Sequence, residues 1–368
     1  MRDRLHIPAG EHTAIACFIT PHGYGHAARA AAILQAVHRQ VGNCRFDLYT
    51  TVPDWFFSDS LACPFFLDAV ATDIGLVQKT PLVEDLTATA HGLDGWYPLD
   101  AGMVGRLADT LVRRKTRLVI CDIAPLGIAV ARSAGIRSVL VENFTWDWIY
   151  RGYPEFRQRF GRHIDYLADL FEQADARIRA RPLCGNAVGH LTVDPVSRSP
   201  RRSRQAVRQG MGVAPEETLV LVSLGGTPLG EGMIGLRRIP SGIRIVVPAN
   251  GAVPAEHPGL QVVAHDAFYH PDLIGACDAV IGKTGYSTLA EVFHAGVPFG
   301  YVSRGAFPEA AVLEAFARES MGARPLSEAD LKSGAWIEAI PALAALRRVS
   351  AAPPNGAEAA ARFVASLL

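Results

Sequence analysis

Short apolar runs alternate with helix-length amphipathic segments along most of this chain, a pattern that confines it to parallel sheets covered by helices. In the first half, residues 13–20, 46–50, 117–121 and 138–142 read as strands, and 25–40, 101–114 and 125–134 as helices. In the second half, 219–223, 243–247, 260–263, 279–281 and 299–302 read as strands, with a helix near 308–319. A chain of 368 residues exceeds what one core serves. Two α/β lobes are expected, over 1–185 and 213–350. Residues 186–212, rich in Pro, Gly, Ser and Arg, read as a linker, and 351–368 as a C-terminal helix capped by Asn355 and free to cross back to the first lobe.

Charge narrows the partners. Lys plus Arg (36) balance Asp plus Glu (36), so no bulk field draws the chain to nucleic acid or anionic lipid. The cluster Arg198, Arg201, Arg202 and Arg204 lacks interleaved aromatics and reads as a solvated face rather than a nucleic-acid arm. The expected partner is a small molecule. No run approaches the roughly 20 apolar residues of a membrane span, and the N-terminus lacks a signal peptide's apolar region, so a cytoplasmic protein is expected. Trp55-Phe56-Phe57 with Phe65-Phe66 would give weak membrane-surface association if exposed; burial in the first lobe is the expectation. The six cysteines are scattered, with no Cys-x-x-Cys pair, and read as buried reduced thiols; no metal site is expected.

Residues 280–298, VIGKTGYSTLAEVFHAGVP, join a strand, a glycine turn and a helix start around one carboxylate. Gly282 and Gly285 let the backbone turn, and Ser287 or Thr288 can cap a helix whose amides attract phosphate. Glu291 falls one turn inside, where it can accept from a ribose diol or lie solvated. Upstream, the strand 219–223 runs into Gly225-Gly226-Thr227, which offers amides and a hydroxyl to a diphosphate.

The first strand ends in a turn holding Gly23, Gly25 and His26, and Arg29 follows. An imidazole at such a crevice can take a proton from an attacking hydroxyl near neutral pH, so His26 is the base candidate and His22 its competitor. Asp122 ends another strand on the same sheet edge, where it either orients His26 or caps the helix after Pro125. Glu142, Asn143, Trp146 and Asp147 mix aromatics and hydrogen-bonding groups, which suits a polyol or an ordinary helix start.

Together these residues resemble the GT-B nucleotide-sugar glycosyltransferases, two Rossmann-like lobes facing across a cleft, in particular relatives of the peptidoglycan N-acetylglucosaminyl transferase family. Gly225-Gly226-Thr227 and the interval from Gly285 to Glu291 match that family's donor elements. GYGHAAR (23–29), ENFTWDWIY (142–150), LGGTPLG (224–230) and IGKTGYSTLAEV (281–292) are similar to the glycosyltransferase-like N-terminal half of plant L-arabinokinases, without implying kinase activity. The resemblance implies His26 as the catalytic base with Asp122 as its partner. It implies donor contacts from Lys283, Thr284, Gly285, Tyr286, Ser287 and Glu291, and a loop from Arg304 to Glu309 beside the donor sugar that lacks the usual Asp-Gln pair.

The expected activity is inverting, metal-independent glycosyl transfer without a cofactor, from a nucleotide-diphosphate sugar (UDP foremost) to an unidentified acceptor. The GxGHxxR string ending at Arg29 is also similar to a nucleotide-sugar hydrolase, which makes hydrolysis by His26-activated water one alternative. A binding protein without turnover is another. Oligomeric state is not legible.

Overall fold

The computed structural model describes residues 12–225, 234–249, 257, 259–264, 267–349 and 353–368. In chain order the strands of the first half are β1 (Thr13–Ile19), β2 (Cys44–Tyr49), β3 (Phe65–Asp68), β4 (Gln78–Thr80), β5 (Val83–Glu84), β6 (Thr116–Asp122), β7 (Ser138–Glu142), β8 (Ala176–Ala180) and β9 (Leu191–Val193). Those of the second half are β10 (Thr218–Ser223), β11 (Ile243–Pro248), β12 (Leu260–Val263), β13 (Ala279–Lys283), β14 (Phe299–Val302) and β15 (Ala323–Leu326). Among the described residues one parallel sheet runs β3-β2-β1-β6-β7-β8-β9 and a second runs β12-β11-β10-β13-β14-β15. Central strands such as β1 and β10 are buried on both faces, which is why they read as continuous apolar runs rather than alternating ones.

The chain divides into two compact units. The first holds residues up to Val77, Asp85–Val196 and Pro354–Leu368; the second holds Gln78–Glu84 and Ser197–Pro353. These bounds differ from the expected ones in three places. The antiparallel hairpin β4–β5, inside the span assigned to the first lobe, belongs to the second unit. The span 186–212 is not an irregular linker: it carries β9 and the helix Arg204–Gly210, and passes between units at Val196 and Ser197. The helix Gly356–Ala365 belongs to the first unit, where it packs on helix α1 (Tyr24–Val41).

The arginine cluster is only partly a solvated face: Arg201 and Arg202 are exposed as expected, while Arg198, Arg204 and, beyond it, Arg208 turn inward. Arg198 is buried against Glu291, and Arg204 and Arg208 bind the Asp278 carboxylate at 2.6 and 3.1 Å and the Ala276 carbonyl. Arg201 lies over the Tyr269 ring. The apolar cluster near residue 56 is largely interior: Phe56 and Phe57 are buried, Trp55 packs edge-on to Tyr24, and Phe66 is 46% exposed. All six cysteines are buried and none is disulfide-bonded; burial pushes the Cys63 and Cys277 thiols up to about 12, out of the range of thiolate chemistry. Among the described residues no helix is long and apolar enough to cross a membrane.

In each sheet the winding direction reverses between two adjacent strands, β1 with β6 and β10 with β13. Ile19 lies opposite Asp122 in the first pair and Ser223 opposite Gly282 in the second. Crevices outside the carboxyl ends of such strand pairs are where open α/β sheets bind ligands.

Candidate functional site

At the first reversal, Gly23 (φ 75°) turns the chain from β1 into α1, in a conformation that suits glycine. His26 and Arg29 are three residues apart on that helix and therefore share a face. Both reach the fully buried Asp122. His26 Nδ1 is 3.1 Å from Oδ1, while Arg29 donates from Nε to Oδ2 at 2.9 Å and from Nη2 to Oδ1 at 2.7 Å. Arg29 Nη1 donates to Asn143 Oδ1 at 2.6 Å. The carboxylate favours the tautomer with the proton on Nδ1, which leaves the Nε2 lone pair as the basic site. Asp122 does not cap the helix Pro125–Ala134, whose N-cap is Ala124.

The network sets its own protonation. Burial lowers the His26 pKa, the Asp122 hydrogen bond and charge oppose that, and the Arg29 charge adds to the lowering. Burial works against the charge of Asp122, yet Arg29 and His26 hold its carboxyl below the ordinary value. The result is a neutral imidazole beside a charged, paired carboxylate. Ile123, next after Asp122, holds φ 49°, a left-handed conformation costing a β-branched residue about 1–3 kcal/mol.

Several expected ligand contacts turn out to be internal ties. Arg29 is 1% exposed and committed to Asp122 and Asn143, so it positions the site instead of gripping substrate. The 142–150 string divides between two places. Asn143 joins the His26 network and Trp146 packs near His22 and His26, its ring centroid 5.2 and 6.3 Å from theirs. The buried Trp146 Nε1 has no hydrogen-bond partner among the described residues. Glu142, tied to Arg179 Nε at 3.0 Å, and Asp147, tied to Arg151 at 2.7 Å, instead line a cavity of about 340 Å³ with Trp148 and Arg177. His22 Nδ1 accepts from Leu76 N at 3.4 Å and sits against Gly75.

The sequence reading missed Asp73. It is buried in the loop after β3, accepts from Thr20 at 2.8 Å and Thr72 at 3.2 Å, and has its pKa pushed up to about 7 by burial, with the Asp122 charge adding. No periodicity or motif marks that loop in the sequence.

At the second reversal Gly225 (φ 86°), two residues beyond β10, lies so close to Lys283 that a Cβ there would be 3.0 Å from the lysine Cε. Gly226 and Thr227 lie outside the described residues. A Cβ on Gly282 would meet the Ser223 carbonyl oxygen at 2.7 Å, so only glycine lets β10 and β13 approach here. The helix Tyr286–Ala295 starts at once, with Gly285 as N-cap and no capping side chain. Ser287 and Thr288 fall inside its first turn and do not cap it.

Around that helix start sit two cations. Lys283 Nζ reaches the Pro81 carbonyl at 3.4 Å; burial and the Arg304 charge lower its pKa to about 7, with Glu84 and Glu309 opposing. Arg304 donates from Nη2 to Glu84 at 2.9 Å and lies over the Phe307 ring. Arg304 Nε and Thr284 Oγ1 are buried with no hydrogen-bond partner among the described residues, and leaving such donors unmet is costly. Glu309 is buried in the first turn of the helix Pro308–Ser320.

Glu291 does not stand open for a diol. Its oxygens accept from Arg198 Nε at 2.8 Å and His270 Nδ1 at 3.0 Å, and it is 4% exposed. Burial raises its pKa, but the neighbouring cation and imidazole leave it lowered overall. Among the described residues no group of three or more His, Cys, Asp or Glu is placed to hold a metal.

Two parallel sheets, each reversing its winding beside polar groups, match the GT-B glycosyltransferase fold of solved structures. The solved glycotransferase of kitacinnamycin superposes with a TM-score of 0.59 over 98% of this chain and all of that one, at 14% identity. UGT2 of Phytolacca americana, solved with UDP-2-fluoro-glucose and pterostilbene, gives 0.53 over 96% of this chain and 99% of its own, at 11% identity. In sequence, the chain is 28% identical over 361 residues to the L-arabinokinase of Arabidopsis thaliana, covering 97% of this chain and 34% of the relative. It thus spans about a third of that relative's length. No family model matches the chain.

Proposed function

We propose that this protein transfers a glycosyl group from a nucleotide-diphosphate sugar to a hydroxyl acceptor with inversion and without a metal ion. The observation that carries the reading is the donor set at the β10/β13 reversal. Lys283, held by the Pro81 carbonyl alone, the buried Thr284 Oγ1 without a partner among the described residues and a helix N-terminus with no side-chain cap are what a diphosphate satisfies. The fold supports it, since UGT2 was solved with a nucleotide sugar. UDP is the first donor nucleotide to test.

The first unit supplies the base. His26 Nε2 takes the proton of the acceptor hydroxyl, whose oxygen forms a bond to the anomeric carbon as the bond from that carbon to the β-phosphate oxygen breaks. The imidazolium so formed is stabilised by Asp122, although Arg29 already claims much of that charge. This favours a neutral resting imidazole at pH 7. Trp146 Nε1 offers an unspent donor to a hydroxyl near His26. Lys283 and the amides of the Tyr286–Ala295 helix stabilise the departing nucleoside diphosphate in the place of a cation.

The test is a thermal shift of the full chain against nucleoside diphosphates and their sugars, with Lys283→Met as control. A ligand at about 100 times its dissociation constant adds about 2.7 kcal/mol of stability. Stabilisation by one nucleotide, lost in the variant, supports the donor site, and none from any of them overturns it. Incubation of the stabilising nucleotide sugar with and without hydroxyl acceptors then separates transfer from release of free sugar, the hydrolase outcome.

A further inference from the structure

The hairpin β4–β5 is a piece of the first half of the chain built into the second unit at the very edge where the donor groups collect. Leu82 at its tip is 5% exposed and packs in the core with Val220, Val222, Leu224 and Ile281, the residues that hold β10 and β13. Thr80 Oγ1 accepts from Leu82 N at 3.2 Å and shapes the turn. So anchored, the hairpin presents the Pro81 carbonyl to Lys283 and the Glu84 carboxylate to Arg304.

This divides the two cations. Lys283 has only a carbonyl and stays available to phosphate. Arg304 is matched by Glu84 at 2.9 Å, both side chains being about 5% exposed or less, and the buried Glu309 also faces the cluster. Arg304 keeps its buried Nε–H donor without a partner among the described residues, on the same guanidinium that binds the Glu84 carboxylate. A donor next to acceptors is what a sugar hydroxyl satisfies, because it both gives and takes a hydrogen bond. A carboxylate in the same place finds Arg304 already neutralised and meets like charge.

We infer that Glu84, carried on the hairpin, determines specificity in the proposed transfer, selecting donors whose glycosyl group is uncharged and rejecting those that bear a carboxylate. The inference rests on the donor reading above.

The experiment is calorimetric titration of the full chain with UDP, UDP-glucose and UDP-glucuronic acid, for the wild type, Glu84→Gln and Glu84→Asp. The wild type is expected to hold UDP-glucose at least about tenfold tighter than UDP-glucuronic acid, and Glu84→Gln to bring the ratio near one. Glu84→Asp, which keeps the charge, is expected to keep the preference. Any general effect on diphosphate binding appears with UDP itself and cancels in the ratio. An unchanged ratio in Glu84→Gln, or a wild type without the preference, overturns the inference and leaves the donor site standing. Should the stabilising nucleotide be GDP, GDP-mannose and GDP-mannuronic acid make the same comparison. A wild type that binds no nucleotide overturns the donor reading and this inference with it. If Glu84→Gln fails to fold, Glu84→Ser, which also removes the charge, makes the same comparison.

Discussion

The two sheet reversals share a topology and differ in polarity. At β1/β6 the arginine is spent from within: Arg29 and Asp122 neutralise one another, and what remains is one imidazole and the buried Asp73, held by hydroxyls. At β10/β13 a lysine of lowered pKa, an arginine with a buried N–H unpaired among the described residues and a helix start with no side-chain cap remain. The winding of a sheet thus makes a crevice, and the few side chains at its rim decide whether it moves a proton or holds an anion.

The sharpest way to break this comparison is His26→Asn. Turnover is expected to fall about 10²- to 10⁴-fold with nucleotide affinity unchanged, measured by rate assay and titration on the same protein. A variant that keeps its rate would move the base elsewhere. Arg29→Met strands Asp122 as a buried unpaired charge and is expected to destabilise by about 3–5 kcal/mol in denaturant unfolding. The double variant with Asp122→Asn should recover part of that; if it does not, the ion pair is not what holds the first reversal.

Lys283→Met tests the opposite rim, with an expected loss of about ten- to a hundredfold in nucleoside diphosphate affinity and little change in melting temperature. Two glycines sharpen the contrast between sheets. A Cβ on Gly282 strikes the Ser223 backbone, whereas one on Gly127 strikes the Cys121 and Phe18 side chains. Each alanine variant is expected to cost about 1–3 kcal/mol, and Gly282→Ala more than Gly127→Ala because backbone yields less. The last test is in pH. Lys283 has a folded pKa of about 7 against the usual 10.5, so the unfolded chain binds more protons between these values. Ligand-free stability from this group should therefore rise with pH across that window and be lost as pH falls through 7. Diphosphate binding, which wants the charged lysine, should weaken above pH 7.

Strand positions were legible where apolar residues run together, as in β1, β7 and β14, because burial on both faces leaves no polar interruption. β8, ARIRA, was not, since Arg177 and Arg179 enter the interior only by pairing with Glu172 and Glu142. The hairpin was equally hidden: QKTPLVE is short and polar, and its partners lie some 200 residues downstream. At the site, His26 and Asp122 could be matched from the common sheet edge. That Arg29, Glu142 and Glu291 are spent on internal partners could not, because a carboxylate that binds sugar and one that binds arginine look alike in a string.

By itself the sequence determined the two parallel sheets, the glycine turns at their carboxyl ends and the residue types gathered there, all of which follow from local periodicity and backbone sterics. Only the tertiary structure decided which charges cancel and which remain, and to which unit residues 78–84 belong. Charge pairing acts over a few ångströms between residues far apart in the chain, and local pattern holds no record of such distances.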